Sequence, residues 1–159
     1  MGGTTKRAVT VLLSVVAIAL ASACADVDPQ TGSIRPTCKD ADSNPAVTVD
    51  FARDIRPMID NKVPGTKGCL GCHDPNGGTM EGFIAKGLDL TKLQNIRKGS
   101  RDDKDIIVPG KPCSSIIVQK LQGTFPEGAR MPKNGPYWED ARIQLMIDWI
   151  AEGAQGADE

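Results

Sequence analysis

Two cysteines three positions apart, followed at once by the only histidine of the chain, form the segment Cys69-Leu70-Gly71-Cys72-His73. C-x-x-C-H is the attachment motif of c-type haem. Two thiols at this spacing reach the two vinyl groups on one edge of a porphyrin, and the adjacent imidazole falls beneath the iron. A bulky apolar group held there answers a second oddity. Only six of the 159 residues are aromatic (Phe51, Phe83, Phe125, Tyr137, Trp138 and Trp149), so the side chains alone make a thin core. Residues 61–87 carry seven glycines, and loops this long in a small domain need something to organise them.

Other uses of the motif fit less well. A thioredoxin-like redox pair at Cys69 and Cys72 belongs in a βαβ unit, which the glycine-rich flanks do not offer. Zinc would take Cys69, Cys72, His73 and one of Cys38 or Cys113, without the spacing of a second knuckle. A Cys69–Cys72 disulfide leaves His73 without a purpose. The net charge of −1 and the lack of a long basic run exclude the electrostatic footprint of a nucleic-acid binder. With one histidine there is no second imidazole for acid–base work. The chain is therefore expected to be no enzyme and to take no small-molecule substrate.

Residues 1–23 read as an export signal: Lys6 and Arg7 precede an uncharged stretch from Ala8 to Ala23, closed by Ala21-Ser22-Ala23. Leu20-Ala21-Ser22-Ala23-Cys24 resembles a bacterial lipobox, although Ala21 stands where Leu is usual. That resemblance implies lipidation of Cys24 and a membrane anchor. The plainer alternative, cleavage before Cys24, leaves a free thiol in an oxidising compartment. Removal of the signal leaves 17 basic against 20 acidic residues, so the membrane would be met through a lipid and not through a basic surface. The expected location is the periplasm or cell envelope.

Residues 24–48, rich in Pro, Asp, Ser and Thr, read as a flexible tether. Asp50 is a natural N-cap for an apolar pattern at Phe51, Ile55, Met58 and Ile59, which Pro57 should kink or split in two. Residues 61–87 read as loop, Leu88 to Ile96 as an extended start followed by a short helix, and Ser114 or Ser115 as the cap of a helix through Leu121. Gly123 to Pro136 is a further loop. Ile143, Met146, Ile147 and Ile150 make a helical stripe that Gly153 should end. Without strand alternation, the fold class is mostly α. The domain should span 49–154, with a short disordered tail at 155–159.

The sixth iron ligand is narrowed by elimination. Met58 and Met146 lie on apolar stripes, where methionine is usually core filler. Met80 follows His73 by only seven residues. Met131 lies 58 residues beyond His73, far enough to reach the opposite face, and Pro132 biases it to extended backbone. The alternative is a loop methionine that merely packs on the domain.

Taken in order, Phe51-Ala-Arg-Asp-Ile-Arg-Pro57, Cys69-Leu-Gly-Cys-His73, Gly87-Leu-Asp-Leu90, Val108-Pro-Gly-Lys-Pro112 with Ser115, Arg130-Met-Pro132 and Trp149-Ile-Ala-Glu-Gly-Ala154 resemble the planctomycete-type cytochrome c domain. The resemblance spans about residues 49 to 154. It implies crossed terminal helices around one covalent haem c, with His73 and Met131 as axial ligands. Cys38 and Cys113 are not part of the usual pattern. With Cys24, Cys69 and Cys72 assigned, they remain as an even pair, and a disulfide is the economical reading. The expected function is electron transfer to an unidentified redox partner, iron cycling between Fe(III) and Fe(II). The alternatives are a haem-based sensor with a labile Met131, and a structural lipoprotein without haem.

Overall fold

The computed structural model describes residues 37–64 and 67–157; the expected export signal, residues 1–23, and Cys24 lie outside them. Among the described residues there are helices and loops and no strand. The first helical segment is in two pieces. Phe51–Ile55 forms a π turn, and Arg56–Ile59 (α1) continues it as α-helix. The Asp50 carboxylate accepts from the Arg53 N–H at 2.7 Å, which caps the start. Pro57 has no N–H to give an i→i−4 bond, and the wider π turn accommodates the loss just before it. Leu70–His73 (α2), Glu81–Lys86 (α3), Leu93–Lys98 (α4), Ile116–Gln122 (α5) and Asp140–Ala151 (α6) follow, with a 3-10 turn at Pro112–Ser114.

Two short helices, α2 and α3, occupy the segment expected to be loop. Gly82 weakens the helical signal inside α3, and α2 is a single turn too short to show periodicity. The helix expected to end at Ile96 starts only at Leu93. The Asp89 carboxylate takes both the Thr91 N–H (2.8 Å) and its hydroxyl (2.6 Å), which holds 89–91 in a turn and delays the helix. Ser115 stands at the N-cap of α5, but its side chain does no capping. Its hydroxyl instead accepts from the Val108 N–H at 2.8 Å and donates to the Lys111 carbonyl at 3.0 Å.

The core gathers the first helical segment, α4, α5 and α6. Ile143, Met146, Ile147 and Ile150 are all buried, and Phe51 packs on Trp149 with ring centroids 5.2 Å apart. Each such side chain withdrawn from water stabilises the fold by roughly 1.5–3 kcal/mol. The Trp149 indole N–H donates to the Gln155 carbonyl (2.8 Å), and Arg97 donates to the Ala154 carbonyl (2.6 Å), so the chain beyond α6 folds back onto the domain.

Residues 37–48 have no regular structure, yet they are tied down. Ser43 gives its N–H and hydroxyl to the buried Asp148 carboxylate at 2.9 and 2.7 Å, and Gln144 gives that carboxylate a third donor. Cys38 and Cys113 are joined by a disulfide, 75 residues apart in sequence with Cα atoms 5.6 Å apart. The Cys113 N–H also donates to the Asp40 carboxylate at 2.9 Å. By loop-closure entropy this bond contributes up to about 4 kcal/mol. The Cys38→Ser/Cys113→Ser protein should therefore unfold at distinctly lower denaturant concentration than the oxidised wild type. Equal midpoints would show that the other contacts of 37–48 suffice.

Candidate functional site

The Cys69 N–H donates to the Ile59 carbonyl at 2.8 Å, which plants the start of α2 on the end of α1. One turn later the Leu90 N–H donates to the His73 carbonyl at 2.9 Å. Between these two anchors Cys69, Cys72 and His73 face one cavity of about 440 Å³, within the size range of small-molecule and cofactor sites. Its walls are mainly apolar: Leu88 and Leu90, then Ile106, Ile116, Ile117 and Leu121, with Phe125. Met131 enters the same cavity from the loop before α6. Of the four methionines among the described residues, Met58 and Met146 are in the core, and Met80 caps α3 without lining the cavity.

One ring nitrogen of His73 is committed to backbone. Its Nδ1 lies 3.2 Å from the Leu88 carbonyl. A carbonyl accepts and cannot donate, so Nδ1 carries the proton and Nε2 keeps its lone pair. A backbone acceptor on the far ring nitrogen is the usual support of a metal-ligating histidine. Burial lowers the imidazole pKa, the Leu88 hydrogen bond opposing only in part, so the ring is neutral at pH 7. Cys69 and Cys72 are free thiols. Burial pushes the Cys69 thiol up to about 12, against the opposing charge of Arg56. A thiol held protonated is a poor redox nucleophile.

Helix α3 lies directly against the imidazole. A Cβ built at Gly82 would stand 2.4–2.7 Å from three ring atoms of His73, so only glycine lets the helix approach this closely. On the other side the Met131 loop is fastened to α5. The Met131 N–H donates to the Lys120 carbonyl at 2.9 Å. Arg130 donates from Nε to the Leu121 carbonyl at 2.8 Å, and its guanidinium lies over the Tyr137 ring at 4.2 Å. Lys67, Lys86, Lys120 and Lys133 stand around the cavity together with Glu81, Asp103 and Glu127.

The competing uses of the motif find no support in this arrangement. Among the described residues no βαβ unit surrounds the cysteine pair. Among the described residues no three His, Cys, Asp or Glu side chains converge as they would on a zinc ion, and Cys38 and Cys113 are bonded to each other. No helix among the described residues is long and apolar enough to cross a membrane. Sequence reasoning missed the Leu88 carbonyl, Gly82 and Lys120. A backbone acceptor leaves no trace in sequence, whereas a lone glycine in a helical stretch beside the motif was a usable sign of close approach.

Residues 69–135 match the family described as Planctomycete cytochrome C. The chain is also similar to hydrazine synthase subunit alpha of Kuenenia stuttgartiensis, at 28% identity over 134 residues. The match covers 68% of this chain and 15% of the relative, so the chain spans only a small part of that protein's length. No solved structure matches the chain.

Proposed function

We propose that this chain carries a planctomycete-type cytochrome c domain, as the match over residues 69–135 and the similarity to the hydrazine synthase subunit support, that it holds one haem c and that it serves as an electron carrier outside the cytoplasm. The observation that carries this reading is the meeting of Cys69, Cys72, His73 and Met131 on one apolar cavity, with His73 Nδ1 committed to the Leu88 carbonyl. The residues fit the group. Both thiols are free for thioethers, Nε2 has an available lone pair, and the soft Met131 sulfur is the one methionine sulfur on the cavity among the described residues. The haem would supply one-electron chemistry through its iron.

The protein's own part is retention, orientation and exclusion of water. Cys69 and Cys72 would retain the group covalently. The Leu88 carbonyl orients His73, and the walls contributed by Leu90, Ile106 and Ile116 keep the surroundings dry. The only imidazole is occupied as a ligand, which leaves none for general acid–base catalysis, so a carrier role is favoured over an enzymatic one. Export by residues 1–23 and a lipid anchor on Cys24 complete the proposal and place it at the cell envelope, facing a redox partner protein.

One experiment addresses these parts together. A pyridine haemochrome spectrum and an intact mass of the mature protein should report one haem joined by two thioethers, plus a diacylglyceryl group. Acidified organic solvent should leave the haem on the protein. Haem that extracts completely would overturn the covalent assignment, and a mature mass without lipid would overturn the anchor.

A further inference from the structure

The amine of Lys120 reaches back onto backbone carbonyls. Its Nζ donates to the Glu127 carbonyl and lies 3.4 Å from the Ala129 carbonyl, with the Phe125 ring 4.8 Å away. Between the two carbonyls sits Gly128, at φ +68°, where a Cβ would come within 3.2 Å of that same nitrogen. The Lys120 backbone carbonyl meanwhile takes the Met131 N–H at 2.9 Å. One residue thus grips the loop at three places within five positions. Lys86 and Lys133, also beside the cavity, differ: each is more than half exposed and joins only a carboxylate, at 3.4 and 3.6 Å. Such surface pairs hold little in place, whereas an ammonium on backbone carbonyls forms charge-assisted hydrogen bonds.

We propose that Lys120 is the positioning residue for Met131: its ammonium, seated on the carbonyls either side of Gly128, hangs residues 127–131 from α5 and fixes the approach of the thioether to the cavity. The inference rests on the reading of Met131 as an iron ligand and deepens it. Arg130 works in the same sense from the next turn, through the Leu121 carbonyl. Reversal of the chain after α5 is possible because Gly123 takes φ +75°, with the Arg130 side chain lying where a Cβ would point. Loss of the ammonium releases the loop while leaving the thioether itself unchanged. The fraction of molecules with an open distal position then rises, and any competing ligand gains apparent affinity in proportion.

The test uses the full-length haem-loaded protein and imidazole as the competing ligand of the ferric state. Lys120→Met keeps the aliphatic stem and removes the charge. It should weaken the near-infrared sulfur–iron charge-transfer band and tighten imidazole binding at least about tenfold. Lys120→Arg should restore both. A purely structural lysine would lower the denaturant midpoint and leave imidazole affinity where it was. Unchanged affinity and an intact band in Lys120→Met overturn the proposal. Should Lys120→Met fail to accumulate, Lys120→Gln, which also removes the charge, is the second variant, and the band and the imidazole affinity then decide in the same way. A wild type that lacks the band, matched by an unaffected Met131→Ala protein, removes the ligand reading itself and the strap with it.

Discussion

Met131→Ala is expected to lower the reduction potential by on the order of 100 mV or more, a fraction of the span over which axial ligands tune haem. Thioether sulfur is neutral and soft and favours Fe(II) over Fe(III), so its loss weights the balance toward the oxidised state. The same change opens the distal side: the reduced variant should bind CO readily where the wild type resists. The oxidised wild type should show the sulfur–iron band, and Met131→Ala should not. Met80→Ala is the matched control. Met80 caps α3 in a left-handed conformation, φ +56°, and does not line the cavity, so that variant should keep the band. If Met80→Ala abolishes the band and Met131→Ala retains it, the two loops have exchanged roles. If the wild type itself binds CO as readily as Met131→Ala, the distal ligand is labile and a sensing role displaces electron transfer.

The residues that meet on the cavity and the core stripe were legible because each rests on a rigid local rule. C-x-x-C-H is dictated by a macrocycle, and the spacing of Ile143, Met146, Ile147 and Ile150 by 3.6 residues per turn. All four stripe residues are buried. Met131 is the methionine that lines the cavity among the described residues, and the apolar stripes already accounted for Met58 and Met146. What could not be read depends on contacts between distant backbone segments. Nothing in Leu88 marks its carbonyl as the acceptor for His73 Nδ1. Nothing in Lys120 separates it from Lys86 or Lys133 until Gly128 is seen beside its nitrogen. Composition suggested a loose tether for 24–48, but composition does not report that Asp148 and Glu152 offer carboxylates to Ser43 and Val49 at its end. Helix α3 was hidden by Gly82, the residue that makes its position possible.

That glycine gives the second large expected effect, with a sign that decides between two physical accounts. Helix propensity alone says that Gly82→Ala stabilises an exposed helix by about 1 kcal/mol. Contact geometry says the opposite. The new Cβ would lie 2.4 Å from Cε1 and 2.5 Å from Nε2 of His73, far inside van der Waals contact, and both parts are constrained. His73 is tied through Nδ1 to the Leu88 carbonyl and through its own carbonyl to the Leu90 N–H. Helix α3 ends at Gly87, whose N–H donates to the Phe83 carbonyl. Overpacking of a closed contact costs about 1–3 kcal/mol, so the clash outweighs the propensity gain. Gly82→Ala should be destabilised in denaturant melts. In the haem-loaded protein it should also shift the ferric spectrum toward high spin as the imidazole is displaced. Gly71→Ala supplies the contrast: a Cβ there meets nothing within 4 Å although it too lies in a helix, α2. That variant should be neutral or slightly stabilised, with an unaltered spectrum. Equal behaviour of the two variants would mean that α3 does not press on the histidine, and that the Leu88 carbonyl alone orients the ring.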